Sequence, residues 1–293
     1  MTREPASLAA IAGGYDAVVL DQWGVLHDGT APYPCAVEAV AALHAAGVRM
    51  AVLSNSGKRS APNADRIARI GFPPEHFETV MTSGEALWQD LAAGRVEARK
   101  LFAIERAPGD AAAWIAGSGA TLVDDVDQAD AVLLMGLPDG AEADAFDAVM
   151  TAALSRDVPV LCTNPDRASP RAGGEVVISP GQLAHDHAAR GGRVAFYGKP
   201  HKPVFDAIAR TLDLDGGRLL MVGDSLEHDI AGAAGAGWDS LFIRGGLHAS
   251  FFAGHGDISA RLAELARAEG APLPTYTLQT LGQLTPQTAG TVS

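Results

Sequence analysis

The sequence predicts an α/β fold, in which a parallel-sheet core carries a second, inserted α/β domain. Short apolar runs rich in β-branched residues alternate with helical segments from the first such run, Val18–Leu20, onwards. A strand, a helix that stops at Gly47 and another strand follow in that order, which favours a right-handed crossover between parallel strands. The alternation starts again in shorter units near residue 84, and 293 residues exceed the usual size of one domain, so we expect two domains.

Each element is expected where an apolar run or a helical apolar face lies between turn or capping residues. The expected strands are Val18–Leu20, Arg49–Leu53, Leu101–Ile104, Ala131–Met135, Val158–Leu161, Arg193–Tyr197, Arg218–Val222 and Asp239–Ile243, with Tyr276–Leu284 returning to the core. The expected helices are Ser7–Ala12, Ala36–Ala46, Pro62–Ile70, a helix capped by Ser83, Asp110–Ala116, Ala141–Leu154, Ser179–Arg190, Pro203–Leu212 and Ile258–Glu269. Residues 285–293 read as a disordered tail.

Composition and motifs narrow the classes of partner. The formal net charge of −13, from 22 basic and 35 acidic residues, argues against nucleic acid and against an anionic membrane surface. Cys35 and Cys162 are far apart and form no C-x-x-C, so neither a disulfide framework nor a zinc site is indicated. No run approaches transmembrane length, which predicts a cytoplasmic protein without membrane contact. The sequence leaves the oligomeric state open, a homo-oligomer included.

The strand Val18–Leu20 delivers Asp21 to its C-terminal end. Ligands bind at that edge of an open α/β sheet, and Gly24 lets the backbone turn tightly around a ligand. A carboxylate in this position is a candidate nucleophile or metal ligand, although a turn or helix cap is the structural alternative.

Three further polar segments each follow an apolar run, as Asp21 does. They are Ser54-Asn55-Ser56, Gly198-Lys199-Pro200, and Gly223-Asp224-Ser225 with Asp229 five residues after Asp224. Taken singly they are typical of a plain turn, of a solvated loop before a helix that starts with Pro, and of a helix N-cap with an acid in its first turn. Their joint occurrence after four strands instead favours a pocket for a metal ion and a phosphate.

In this order, Asp21 and the three polar segments resemble the four motifs of the haloacid dehalogenase (HAD) superfamily of phosphoryl-transfer enzymes. The resemblance implies a Rossmann-like parallel-sheet core. The long gap between the second and third motifs resembles the type IIA subfamily, which includes the NagD-like phosphatases and carries an α/β cap domain at this place. Landmarks of that cap are similar to Thr82–Glu85, Thr163–Asp166 and Ser179–Gly181. The predicted domains are core residues 1–83 and 181–284, a cap at 84–180 and the tail at 285–293.

The resemblance also implies roles for individual residues. Asp21 would attack phosphorus and form an aspartyl-phosphate, while the Ser54 hydroxyl and the Lys199 ammonium would bind the phosphoryl group. Asp21, Asp224 and the backbone carbonyl of Trp23 would bind Mg²⁺. Ser225 and Asp229 would steady these ligands from behind or through a water. The other substrate-binding candidates are Asn55, Ser56, Asn164 and Asp166.

Trp23 departs from the family's pattern. The phosphatases of the family carry a second Asp two residues after the nucleophile, which protonates the leaving oxygen and later activates water. An indole can do neither, because its N–H is a donor without useful acidity and it has no acceptor. Loss of a positioned acid or base typically costs about 10²–10⁴ in rate, or roughly 3–5.5 kcal/mol.

Three hypotheses follow. The favoured one is a Mg²⁺-dependent phosphatase of a small phosphorylated metabolite, of the sugar phosphate or nucleotide class, in which His27, Asp28 or a water covers for the missing acid. A cap that excludes water from a small site suits such a substrate. The second hypothesis is a phospho-ligand binding protein that has lost turnover, and the third is another transfer or C–X cleavage reaction at Asp21.

Overall fold

The computed structural model describes residues 2–170, 176–254 and 256–282. The chain divides into two compact units. Unit 1 is drawn from Met1–Leu53, Ala64–Val80 and Ile208–Ser293, and unit 2 from Ser54–Asn63 and Met81–Ala207. These units follow packing, so the domain boundaries inferred from the motif order remain a prediction. The expected tail at 285–293 lies outside the described residues.

Strands and helices alternate along the described residues. The strands are β1 (Ala17–Leu20), β2 (Met50–Ser54), β3 (Thr79–Thr82), β4 (Lys100–Ile104), β5 (Thr121–Leu122), β6 (Ala131–Leu134), β7 (Val160–Cys162), β8 (Ala168–Pro170), β9 (Val176–Ile178), β10 (Val194–Phe196), β11 (Leu219–Gly223), β12 (Asp239–Ile243) and β13 (Tyr276–Leu278). The α-helices are α1 (Ala9–Ala12), α2 (Ala36–Ala45), α3 (Ser60–Arg69), α4 (Ser83–Ala92), α5 (Asp110–Ile115), α6 (Asp147–Ser155), α7 (Pro180–Ala189), α8 (Lys202–Thr211), α9 (Ala231–Ala236), α10 (Ala249–Phe252) and α11 (Ile258–Ala268).

A six-stranded sheet has the strand order β13-β12-β11-β1-β2-β3. All four residues of β1 are buried, and β1 runs parallel to β11 on one side and to β2 on the other. Leu20 pairs with Val222 in this register, so the residues that follow β1 and β11 emerge at the same edge of the sheet. The apolar side chains of this layer, among them Val18 and Leu43, form the core of unit 1.

A five-stranded sheet lies within unit 2 and has the order β10-β7-β6-β4-β5. Its neighbouring strands run parallel, and β8 and β9 form a separate antiparallel hairpin. Val132, Val160 and Leu183 belong to the core that packs on this sheet. The predicted α/β fold, a Rossmann-like core with a further α/β sheet, is confirmed.

Some local expectations are wrong. The N-cap of α4 is Thr82, whose Oγ1 accepts a hydrogen bond from the Glu85 N–H at 2.9 Å, and Ser83 is the first helical residue. Thr82 has the extended backbone that an N-cap requires because it ends β3, a strand that the apolar pattern does not predict. The single helix expected over 141–154 is instead a 3₁₀ turn, Ala143–Phe146, followed by α6.

No helix within the described residues has both the length and the apolar character that crossing a bilayer requires. The cytoplasmic location remains a prediction.

Candidate functional site

Three carboxylates meet in unit 1 at the edge of the six-stranded sheet. Asp21, Asp224 and Asp229 each offer an oxygen that lies within 4.8 Å of the other two. Asp21 directly follows β1, and its backbone N–H donates to the Val222 carbonyl at 2.9 Å. Asp224 directly follows β11 and is almost buried, and Asp229 is fully buried in a π-helical turn. The parallel register of β1 and β11 therefore brings the first and the fourth sequence motifs together.

Backbone groups orient the two acids that follow β11. The Leu247 N–H donates to Asp224 Oδ2 at 2.7 Å, and the Ser225 N–H donates to Asp229 Oδ2 at 3.1 Å. The Ser225 hydroxyl accepts a hydrogen bond from the His228 N–H at 3.1 Å and so caps the π-helical turn. Ser225 thus acts on the local backbone, and through it on Asp229.

Glycines let the backbone approach these carboxylates closely. A Cβ at Gly24 would lie 1.6 Å from Asp224 Oδ2, and a Cβ at Gly246 would lie 2.2 Å from the same oxygen. A Cβ at Gly223 would lie 2.1 Å from the Asp229 Cγ. No other residue fits at these places without moving an acid.

The donor set fits a hard divalent cation. Mg²⁺ and Ca²⁺ prefer carboxylate and carbonyl oxygens, and three carboxylates within a few ångströms repel one another unless a cation offsets their charge. The enclosed setting strengthens that argument, since like charges repel more strongly away from water. Asp21, Asp224 and Asp229 could therefore hold such an ion.

Trp23 lies two residues after Asp21 and is seated on a turn of the same loop. Its indole contacts the His27 ring edge-on, with 5.8 Å between the ring centroids, and the Arg66 guanidinium carbon lies 5.7 Å from the Trp23 ring centroid. A Cβ at Gly29 would lie 2.3 Å from the indole, so only glycine lets the ring lie this close to the turn. Trp23 as a residue is nevertheless 48% exposed.

The two neighbours considered as substitutes for the missing acid both have local structural partners. His27 is fully buried; its Nδ1 accepts a hydrogen bond from the Gly29 N–H at 2.9 Å, and its Nε2 lies 3.4 Å from Arg66 Nη2. Burial, assisted by the Arg66 charge, lowers the pKa of His27 to about 4. Asp28 Oδ1 accepts hydrogen bonds from the Ala31 and Thr30 N–H groups, which lower the pKa of Asp28.

A second group of the expected residues meets in unit 2, around the Asn55 amide. Asn55 Oδ1 accepts a hydrogen bond from the Lys199 N–H at 2.7 Å. Asn55 Nδ2 donates to the Lys199 carbonyl at 3.1 Å and to Asp166 Oδ1 at 2.8 Å. The Lys199 side chain is itself buried, and a Cβ at Gly198 would lie 2.8 Å from Asn55 Oδ1. Asn55 therefore fixes the backbone of Lys199 and ties it to the Asp166 loop.

The remaining expected residues of unit 2 make local hydrogen bonds. Ser54 ends β2, and its carbonyl accepts a hydrogen bond from the Ser83 hydroxyl at 3.3 Å. The Ser56 hydroxyl accepts from the Lys58 N–H at 3.3 Å. Asn164 Oδ1 accepts from the Asp166 N–H at 3.0 Å, which is the geometry of an Asx turn. These bonds order the loops and leave the expected substrate contacts as predictions.

Unit 2 also contains a cavity of about 490 Å³. Ser56 and Asn164 line it, together with three cationic residues that no sequence motif singles out, Lys58, Arg59 and Arg106. The charges of the two arginines are paired with carboxylates: Arg59 binds Glu85 through two hydrogen bonds, and Arg106 binds Asp139. Among the described residues, the exposed Lys58 ammonium has no ion pair. Nothing in the local sequence distinguishes these basic residues from solvated surface charges.

Comparison with known proteins gives the family. The model of the haloacid dehalogenase-like hydrolase family matches residues 18–117, and the HAD-hydrolase-like model matches residues 196–283. Bovine chronophin is 31% identical over 77% of this chain and 79% of its own length. The chain belongs to the haloacid dehalogenase superfamily. Its expected place in the type IIA group is confirmed with it.

Two further proteins fill in this HAD assignment. Chicken glycerol-3-phosphate phosphatase is 28% identical over 78% of each chain. The glycerol phosphate phosphatase of Mycobacterium tuberculosis, solved in complex with magnesium, matches the fold with a TM-score of 0.72 at 24% identity, over 94% of this chain and 78% of that one. The expectation of a HAD hydrolase that acts on phosphoric monoesters is confirmed.

Proposed function

We propose that this HAD hydrolase is a Mg²⁺-dependent phosphatase of a small phosphorylated metabolite and works through an aspartyl-phosphate at Asp21. The observation that carries the proposal is the carboxylate cluster of unit 1, in which the acid that follows β1 meets the acid that follows β11 and a third acid from the π-helical turn. Such a cluster in a HAD chain provides both a nucleophile and the ligands for a cation.

Asp21, Asp224 and the backbone carbonyl of Trp23 are proposed to hold the metal ion, with Asp229 close behind them. A bound divalent cation supplies positive charge that offsets the phosphoryl oxygens and orients the group for attack. Ser225 and Leu247 act through the backbone: their N–H groups keep Asp229 and Asp224 in place.

The proposed reaction divides hydrolysis into two steps. An Asp21 oxygen attacks phosphorus and displaces the leaving oxygen, and water then releases phosphate from the aspartyl-phosphate. The Ser54 hydroxyl and the Lys199 ammonium stabilise the charge on the transferring group. Asn55 holds the backbone of Lys199 through two of its hydrogen bonds, which supports a positioning role in addition to its expected contact with substrate.

A small substrate is supported by two observations. The names of the chicken and mycobacterial relatives specify glycerol phosphate, which is a small phosphorylated metabolite. The cavity of unit 2, at about 490 Å³, has the size of a metabolite site and carries the Lys58 charge. The expected class, a sugar phosphate or a nucleotide, is kept, with Ser56, Asn164 and Asp166 as candidate contacts.

A second candidate function is favoured by one observation. Trp23 stands where the family places its acid, and the nearby His27 and Asp28 are engaged in their own loop. A chain of this kind could bind a phosphorylated ligand in the presence of Mg²⁺ without turning it over.

Phosphate release from a panel of phosphorylated compounds, with and without Mg²⁺, tests the proposal. We expect wild-type turnover that needs Mg²⁺ and falls by about 10³-fold or more in Asp21→Asn, because the amide is a poor nucleophile. Asp65→Asn, an equal change at an exposed site of unit 1, is the control and should keep full activity. Mg²⁺-dependent thermal stabilisation by a ligand without any product would instead support the binding function.

A further inference from the structure

The indole at position 23 is built into its loop. The indole lies against Gly29, where only a glycine leaves room for the ring. His27 and Arg66 also contact the indole. Because the residue is 48% exposed, its indole is not part of the apolar core. Trp23 therefore occupies the acid position as a fixed part of unit 1.

The groups around the indole offer no proton to a substrate. His27 is fully buried, and its two ring nitrogens face the Gly29 N–H and the Arg66 guanidinium. Asp28 Oδ1 accepts two backbone N–H groups of its own turn. Arg66 carries a guanidinium, which is not deprotonated in proteins and so cannot serve as an acid. Within the described part of unit 1, no residue that contacts Trp23 replaces the missing acid.

We infer that this enzyme acts on phosphoryl compounds whose leaving oxygen departs as a stable anion, such as acyl phosphates, phosphoanhydrides and activated aryl phosphates. The inference rests on the proposed function and replaces its simple sugar phosphates with activated phosphoryl compounds, among which a nucleoside diphosphate stays within the expected nucleotide class. A simple alkyl ester such as glycerol phosphate has a basic leaving oxygen that needs a proton as its bond to phosphorus breaks. For an acyl phosphate or an anhydride, that requirement is absent.

Bonds form and break in two steps. An Asp21 oxygen forms a bond to phosphorus, and the bond to the leaving oxygen breaks with its electron pair on that oxygen, which leaves as carboxylate, phosphate or phenolate. Water then forms a bond to phosphorus, the bond between phosphorus and Asp21 breaks to regenerate the carboxylate, and one water proton passes to solvent. No proton donor takes part in the first step.

The second step has no such compensation. The residue that protonates the leaving group in the family also activates the water, and an indole cannot accept that proton. With a good leaving group, formation of the aspartyl-phosphate is therefore faster than its hydrolysis, and the intermediate accumulates. The enzyme should show a burst of leaving-group release of about one equivalent per active site.

The test compares leaving groups at constant phosphoryl chemistry. kcat/KM is measured for aryl phosphates of graded leaving-group acidity and for glycerol phosphate, with acetyl phosphate and a nucleoside diphosphate as separate arms. Wild type should favour the most acidic leaving groups steeply, by about 10²-fold or more over glycerol phosphate. Trp23→Asp should flatten this dependence by raising the glycerol phosphate rate, whereas Trp23→Phe, which keeps an aromatic ring and adds no acid, should keep it steep.

The outcomes separate the inference from the proposed function. A shallow dependence in wild type, with glycerol phosphate turned over as well as the activated esters, would overturn the inference and leave the phosphatase intact. Silence toward every substrate would overturn both. If Trp23→Asp does not fold, three other measurements decide. They are the wild-type series, the burst of leaving-group release, and the capture of the aspartyl-phosphate by hydroxylamine in wild type but not in Asp21→Asn. The two anhydride and acyl arms show which of these sources is preferred.

Discussion

The carboxylate cluster of unit 1 and the Asn55 network of unit 2 are assembled in different ways. In unit 1 the acids follow adjacent parallel strands, and backbone N–H groups from nearby turns orient them. In unit 2 a single side-chain amide joins Asp166 and Lys199, which are 111 and 144 residues away along the chain. The first arrangement depends on backbone register and on glycine. The second depends on one side chain, and it should fail in a different manner.

Gly24→Ala should break the unit 1 arrangement with the largest effect. The new Cβ would lie 1.6 Å from Asp224 Oδ2, at a φ of +77° that already disfavours alanine. We expect loss of nearly all activity and of Mg²⁺-dependent thermal stabilisation. Gly47→Ala is the matched control, since its φ is +76° and nothing lies within 4 Å of its Cβ; it should cost about 1–2 kcal/mol of stability and leave Mg²⁺ binding intact. Equal behaviour of the two variants would assign the effect to backbone strain alone.

Asn55→Ala should break the unit 2 arrangement with an intermediate effect. It removes one partner each of the Lys199 N–H, the Lys199 carbonyl and Asp166 Oδ1. A misplaced ammonium should lower kcat by about 10²-fold, with about 1–3 kcal/mol lost from the free energy of unfolding. Steady-state kinetics with thermal denaturation measures both.

The matched comparison for Asn55 is at its partner. Asp166→Asn retains an oxygen that can accept from Asn55 Nδ2 and should lose less than tenfold in kcat, whereas Asp166→Ala should lose more. A rise in KM with unchanged kcat in Asn55→Ala would contradict positioning. It would indicate instead that Asn55 contacts the substrate, as the motif order predicts.

A pH scan of stability tests unit 1 without any substitution. His27 has a folded pKa of about 4 against 6.5 for the free group, so the unfolded state binds more protons between these values. Stability is then complete above about pH 6.5 and falls as the pH drops towards 4, by about 3 kcal/mol in total. His27→Gln, which keeps an acceptor for the Gly29 N–H and cannot ionise, should reduce this loss. Unit 2 offers a comparison at His187, whose pKa is also lowered by burial. His187→Gln removes the ionisable ring there, as His27→Gln does in unit 1.

What the sequence predicts well is what strand ends determine. The apolar runs before Asp21 and Asp224 place these acids at strand ends, and the parallel register then brings them together. The network around Asn55 is not predictable in the same way, because no local pattern specifies a hydrogen bond to a loop more than a hundred residues away. Motifs identify Asn55, Asp166 and Lys199 one by one, yet they say nothing of the contacts among them.

Local errors have similar causes. Thr82 and Ser83 are both good N-cap residues, and only the extended backbone at the end of β3 decides for Thr82. The hairpin of β8 and β9 has strands of three residues each, too short for a periodic signal. The setting of Trp23 depends on Arg66, whose sequence position in α3 gives no hint of a contact with the first motif.

The chain segments that make up unit 2 limit how a cap can be exchanged between HAD enzymes. Residues 54–63 continue directly from β2, yet they pack with unit 2. Gly57 lies so close to Gly84 that a Cβ at Gly84 would be 2.1 Å from the Gly57 carbonyl oxygen, and the Tyr197 hydroxyl donates to Asp90 Oδ2 at 2.9 Å. A graft limited to 84–180 would therefore leave out Gly57 and Tyr197, which lie against Gly84 and Asp90, and a transferable module has to carry the 54–63 segment and the stretch through Ala207 with it.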